Sequence, residues 1–169
     1  NNKHIPAVYL RGSLAQRLAL LQGLMDGDGS IATNGSRVCQ FSTGSEAIRD
    51  GVAELLRTVG IKAKWRTRMP RVSSMLDGRQ VVGRRPVFQF EFTAPPPEAM
   101  PMFRLPRKFA SQKARNGVYH PRRRERFAIK SVEPVASVPV QCIGVDSASH
   151  LFLAGESMVP THNSAETET

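Results

Sequence analysis

The sequence predicts an α+β chain in two parts, a helix-and-sheet region followed by a short β-rich segment. Three observations carry this. Ile48, Val52, Leu55, Leu56 and Val59 recur at helical spacing. Residues 61–68 and 86–93 alternate at the two-residue period of a strand. Asn34-Gly35 stands between two β-prone runs, which is a strong hairpin signal.

The elements follow in order. Ser13 and Gln16 make a capping-box pattern, because a serine hydroxyl can accept from the amide three residues on while the glutamine reaches back. That opens a helix through about Met25. Residues 30–32 and 37–42 then form the hairpin around Asn34-Gly35. Thr43 with Glu46 repeats the capping-box pattern and starts the second helix, and Gly60 sits where its C-terminal cap belongs. Two strands complete the region, with Trp65 of the first read as a core residue. Ala94-Pro95-Pro96-Pro97 breaks it off. Residues 101–130 carry ten basic side chains and one acid, Glu125, the pattern of a charged linker or surface arm. From about Phe127 a β-rich run reaches Asn163, and residues 164–169 form a polar tail. No internal repeat is visible.

Composition narrows the function classes. The 169 residues suit one or two small domains. A net charge of +10 favours a polyanionic partner, with nucleic acid ahead of an anionic membrane; a merely basic soluble protein is the plainer reading. No apolar run approaches the roughly 20 residues that span a bilayer, so no membrane partner is expected. The first residues are no signal peptide, and without an initiator Met the chain reads as cut from a longer precursor. Two cysteines, Cys39 and Cys142, make neither a disulfide framework nor a zinc site. A reducing, cytoplasmic location is expected.

The end of the first helix carries the first chemical signal. Gly23 and Gly27 share a helical face, and without β-carbons that face lets a second helix approach closely. Asp26 and Asp28 follow at the helix C-terminus, where the macrodipole disfavours carboxylates. A nearby cation removes that penalty, and Mg²⁺ takes few protein carboxylates while keeping its waters. The plainer reading is an Asp-Gly-Asp-Gly turn that stops the helix. Residues 62, 64, 66 and 68 put Lys62, Lys64, Arg66 and Arg68 on one strand face, which suits phosphate contacts or a solvated edge that deters aggregation. Arg37, Gln40 and Ser42 on the hairpin are candidates for reading base edges.

The run Leu21-Gln22-Gly23-Leu24-Met25-Asp26-Gly27-Asp28-Gly29 resembles the LAGLIDADG signature of homing endonucleases, with Gln22, Met25 and Gly27 as departures. Lys3-His4-Ile5-Pro6 resembles the block between the two LAGLIDADG helices of intein-borne, DOD-type endonucleases, so the motif corresponds to the second of the pair. The resemblance implies that Asp28 holds Mg²⁺ with Asp26 in support, and that Lys3 polarises the attacking water or stabilises phosphate charge. It also implies double-stranded DNA as partner, and half an active site that needs a second half.

The chain's other end points to a different chemistry. Asn163 can cyclise onto its own carbonyl carbon and break the bond to Ser164. His162 can assist as an acid, and Ser164 can accept an acyl chain. The stretches 139–155 and 159–164 resemble the last two blocks of an intein, in which His150 polarises the scissile carbonyl or tunes Asn163. Cys142 stands where most inteins carry Asp. With Thr161 before the His-Asn pair it resembles the inteins that lack a nucleophile at their first residue (class 3), and in these the cysteine carries the branched intermediate. By residue type alone Cys142 is a small buried hydrophobe on a strand. The resemblances together imply four parts: residues 1–110, the second half of a LAGLIDADG endonuclease; residues 111–126, a basic connector; residues 127–163, the C-terminal strands of a horseshoe-shaped Hint splicing domain; and residues 164–169, an extein stub. They imply autocatalytic splicing with the N-terminal intein half and flanking exteins as partners and no cofactor, beside a DNA endonuclease using Mg²⁺. The alternative is a DNA-binding module that has lost cleavage.

Overall fold

The computed structural model describes residues 3–32, 37–69, 74–76, 79–81, 83, 85–114 and 128–162. The chain divides into two units, Asn1–Arg124 and Glu125–Thr169. The first runs α1 (Ala7–Leu10), α2 (Leu14–Asp28), β1 (Gly29–Ile31), β2 (Val38–Thr43), α3 (Glu46–Thr58), β3 (Ala63–Arg68), β4 (Ser74–Leu76), β5 (Arg79–Val81), β6 (Val87–Thr93) and α4 (Pro106–Lys113).

The capping box that opens α2 forms as expected: Gln16 N–H donates to Ser13 Oγ at 3.3 Å and Ser13 N–H to Gln16 Oε1 at 2.8 Å. The helix runs on past Met25 to Asp28 and passes into β1 without a loop. Gly29 is the switch residue. Its N–H caps Met25 O, and a β-carbon there would lie 2.6 Å from both Met25 O and Met25 Cε. The cap of α3 is Ser45, not Thr43: Ser45 Oγ accepts from Ile48 N–H at 3.4 Å, while Thr43 Oγ1 accepts from Ser45 N–H. Gly60, at φ +78°, closes α3 by donating to Arg57 O, as its position predicted. Asn34-Gly35 lies outside the described residues.

Four antiparallel strands form one sheet in the order β1-β2-β6-β3. Alternation gives it two faces. Cys39, Phe41, Phe88, Phe90 and Phe92 are buried, as are Leu21 and Met25 of α2 and Val52, Leu55 and Leu56 of α3. Burying one such large side chain stabilises by about 1.5–3 kcal/mol. Trp65 is not the core residue the sequence implied. It is 44% exposed on edge strand β3, packed edge-on against Phe88 at 6.1 Å with the Arg49 guanidinium 5.1 Å over its ring. A large ring on an edge strand covers the core without being enclosed by it.

The proline run does not break the region off, and the expected linker does not begin at residue 101. Ala94, Met102 and Phe103 lie in the core. Gln112 of α4, fully buried, donates to Pro95 O and Met100 O and accepts from Met102 N–H at 2.9 Å. One amide side chain thus satisfies three backbone groups of residues 95–102, which explains how an apolar Pro-rich turn stays folded beneath a basic helix.

The second unit has less regular structure. Strands β7 (Phe152–Ala154) and β8 (Val159–Thr161) pair in the register Phe152↔Thr161, Leu153↔Pro160, Ala154↔Val159. The strands expected from about Phe127 onward do not form among residues 128–151. Ile129, Val132, Val135 and Val140 are each at least 86% exposed, so this segment has β-prone residues without a sheet to join.

Gly29→Ala is expected to cost about 1–3 kcal/mol through overpacking. Gly23→Ala, where nothing lies within 4 Å of a β-carbon, is expected to stabilise the chain by about 0.5–1 kcal/mol through helix propensity. Urea unfolding followed by circular dichroism checks both signs.

Candidate active site and DNA interface

The loop-free joint between α2 and β1 places Asp28 at the mouth of a cleft. Lys3, Leu24, Asp28, Ser42, Thr43 and Arg85 are among its lining residues. Asp28 and Lys3, the acid and the base singled out in the sequence, therefore share one cleft. Lys3 is held there through its backbone, since its carbonyl accepts from Ser45 Oγ at 2.8 Å. The Asp28 side chain is exposed and makes no hydrogen bond or ion pair with any described residue. Arg85, just ahead of β6, was missed in the sequence; its only signal was the Arg84-Arg85-Pro86 run before a strand.

Asp26 has a different situation. Its carboxylate accepts from Arg104 N–H and Leu105 N–H at 3.0–3.2 Å, capping the approach to α4. The cation expected near the helix end is also present, as a side chain. Lys108 Nζ donates to Met25 O, Asp26 O and Gly29 O at 3.0, 2.8 and 2.6 Å. The charge pattern of the sequence marked residues 101–130 as basic but gave no reason to single out Lys108.

Among the described residues no three His, Cys, Asp or Glu side chains converge as a metal cage. Asp28 alone still fits one arm of a Mg²⁺ site, because Mg²⁺ binds through one or two carboxylates and keeps several waters.

The outward sheet face holds the candidate DNA contacts. Lys64 and Arg66 on β3 stand opposite Glu91 and Gln89 of β6, which in turn stand opposite Gln40 and Ser42 of β2. Arg68 ends the strand, and Lys62 lies one residue before it. The face is not uniformly cationic. Glu91 Oε1 accepts from Arg66 Nη2 at 2.8 Å and from Gln40 Nε2 at 3.0 Å, and Gln89 Nε2 donates to Gln40 Oε1 at 3.2 Å. Gln89 and Glu91 were missed because alternation alone marks them only as polar positions. Arg37 precedes β2, with its carbonyl accepting from Ala94 N–H.

In the second unit, Cys142 is an exposed free thiol. His150 adopts φ 51° at the end of a turn closed by its own N–H on Ser147 O, and its Nδ1 lies 3.3 Å from Val145 O. His150 precedes the Phe152↔Thr161 pair by two residues and His162 follows it by one, so both belong to the same end of the β7–β8 hairpin. Thr161 Oγ1 donates to Val159 O. Asn163 and Ser164 lie outside the described residues. No helix among the described residues is long and apolar enough to cross a membrane.

Residues 15–90 match the model of a LAGLIDADG-like domain. Over 163 residues the chain is 38% identical to the replicative DNA helicase DnaB of Mycobacterium intracellulare, covering 96% of this chain and 26% of that protein. A second match, 67% identical over 38 residues, is to the replicative DNA helicase DnaB of Mycobacterium leprae (strain TN); it covers 22% of this chain and 6% of that protein. The chain thus spans about a quarter or less of the length of these curated relatives.

The two thiols should separate cleanly. Burial pushes Cys39 from the ordinary 9.0 up to about 12, whereas Cys142 is exposed. Native protein treated with a disulfide reagent at pH 8 is expected to modify Cys142 and spare Cys39 until denaturant is added. The stability tied to keeping Cys39 protonated is complete below pH 9.0 and is lost toward about 12.

Proposed function

We propose that the LAGLIDADG-like domain at residues 15–90 is half of a DNA homing endonuclease, carried in the C-terminal portion of an intein whose junction is Asn163-Ser164. The observation that carries the endonuclease reading is the cleft shared by Lys3 and an Asp28 whose side chain is unengaged, with Asp28 inside the LAGLIDADG-like domain at residues 15–90. Asp28 holds one side of a Mg²⁺, with Asp26 behind it fixing the neighbouring backbone. Lys3 polarises the attacking water or stabilises charge on the phosphate. When bound, the metal supplies an activated water and neutralises phosphate charge. Lys62, Lys64, Arg66 and Arg68 contact phosphates, while Arg37, Gln40 and Ser42 read base edges. The open Gly23–Gly27 helix face, with nothing within 4 Å of either β-carbon position, receives the second LAGLIDADG helix.

The splicing reading rests on the junction residues and on containment. Nearly the whole chain aligns within a much longer relative, as an inserted element does. Cys142 attacks the upstream junction and carries the branch, and Ser164 receives the chain. Asn163 cyclises to release the insert, with His162 and His150 as proton-transfer partners and Thr161 positioning the pair. The exteins are then those of a replicative helicase like the relatives above.

A second reading, a DNA-binding module without cleavage, is favoured by the cleft lining, in which Asp28 is the one carboxylate among the described residues. The same preparation separates the two. With the missing half supplied, Mg²⁺-dependent duplex nicking that Asp28→Asn abolishes supports the endonuclease; duplex binding without nicking supports the binding module. Replacing Lys64, Arg66 and Arg68 by Gln is expected to flatten the salt dependence of binding by about three phosphate contacts.

Splicing has its own test. Mass spectrometry of a precursor joined to its N-terminal half is expected to show ligated exteins, lost in Cys142→Ala. Asn163→Ala is expected to retain residues 164–169. Ligation unchanged by Cys142→Ala removes that residue from the branch step.

A further inference from the structure

The contacts at the end of α2 form a reciprocal clasp with α4. α2 ends with carbonyls pointing along its axis beyond the last turn, where they cannot all be satisfied within the helix. Lys108 Nζ meets Met25 O, Asp26 O and, on the first residue of the strand, Gly29 O, so its three protons meet three acceptors. In the opposite direction, α2 lends its Asp26 carboxylate to Arg104 N–H and Leu105 N–H at the start of α4. The negative end of one helix is held by a cation from the other, and the amide-rich start of the other is held by an acid from the first. Lys108 also sits 5.7 Å from the buried Phe103 ring, which limits where its stem can go.

Three residues of the acidic turn are thereby fixed on either side of Asp28. Met25 and Asp26 are held before it and Gly29 after it, while the Asp28 side chain itself is left unengaged among the described residues. We propose that Lys108 is a positioning residue for the endonuclease centre: by caging the carbonyls at the α2–β1 joint it sets the Asp28 carboxylate for the metal without touching metal or DNA. The inference rests on the endonuclease reading of Asp28. It also assigns the charge compensation of the helix end to an ammonium, so the metal at Asp28 is not needed to hold the joint together.

The test uses Lys108→Met in the chain assembled with its missing half. The Mg²⁺ concentration that gives half-maximal nicking is expected to rise about tenfold, as for other changes behind a metal ligand, with duplex affinity in EDTA changed less than twofold. Lys108→Arg, which keeps a cation and donors, is expected to recover part of the shift. An unchanged Mg²⁺ midpoint in Lys108→Met, with nicking still abolished by Asp28→Asn, overturns the inference and leaves the endonuclease reading standing. Nicking that survives Asp28→Asn overturns both. If the wild-type assembly does not nick, amide exchange of the 169-residue chain decides. Lys108→Met is expected to speed exchange of Gly29 and of the α4 amides selectively over Leu55 and Leu56 of α3. Exchange that is unchanged, or raised equally everywhere, overturns the clasp.

Discussion

The joint at Gly29 governs the rest of the first unit, because no loop separates the helix from the sheet it feeds. The register begins there and crosses every strand: Gly29 pairs with Phe41, Phe41 with Phe90, and Phe90 with Trp65. A slip of one residue at the joint would send the β1 side chains to the opposite face of the sheet and break their match with β2. Gly29 is tolerated because it has no β-carbon to strike Met25. The same residue that fixes the sheet register also fixes how far Asp28 stands from Ser42 and Thr43 across the cleft.

The sheet divides two physical tasks between its faces. The aromatic rows bind the helices, and the rows Ser30–Gln40–Glu91–Lys64 and Ser42–Gln89–Arg66 remain polar. Glu91 sits amid cations and amides and holds Arg66 and Gln40 in place. An acid on a nucleic-acid face costs attraction for the backbone, but it orders side chains that would otherwise lose rotamer freedom on binding.

Elements whose signals are local were legible in the sequence. The Ser13 capping box, the periodicity of α3, Gly60 and the two alternating strands each follow from neighbours within four residues. The order of pairing was not, since nothing near residues 87–93 says that they pass between β2 and β3. Thr43 was read as a cap because its spacing to Glu46 is right, yet Ser45 competes for the same helix start with an equally capable hydroxyl. The 94–114 segment was misread for a related reason. Prolines and arginines look like a linker until the buried amide of Gln112 and the backbone contacts of Lys108 are seen, and both act across distances of ten residues or more. In the candidate site, Asp28 and Lys3 were found through a motif, whereas Arg85 and Lys108 belong to no motif and needed the fold. Among residues 128–151 the expected strands do not form, because a β-rich composition states a preference for a sheet without providing the neighbour that completes it; among the described residues beyond 127 only β7 and β8, which supply each other, pair.

The central place of β6 has a consequence for biosynthesis. It bonds to β2 on one edge and β3 on the other, although it is the last strand of this sheet to be made. A ribosome releases β2 and β3 well before the strand that joins them, so the nascent chain carries two open edges until Thr93 has cleared the exit tunnel. Closure of the sheet is therefore an insertion event late in translation, and the α4 clasp, made from residues later still, is the step that follows it.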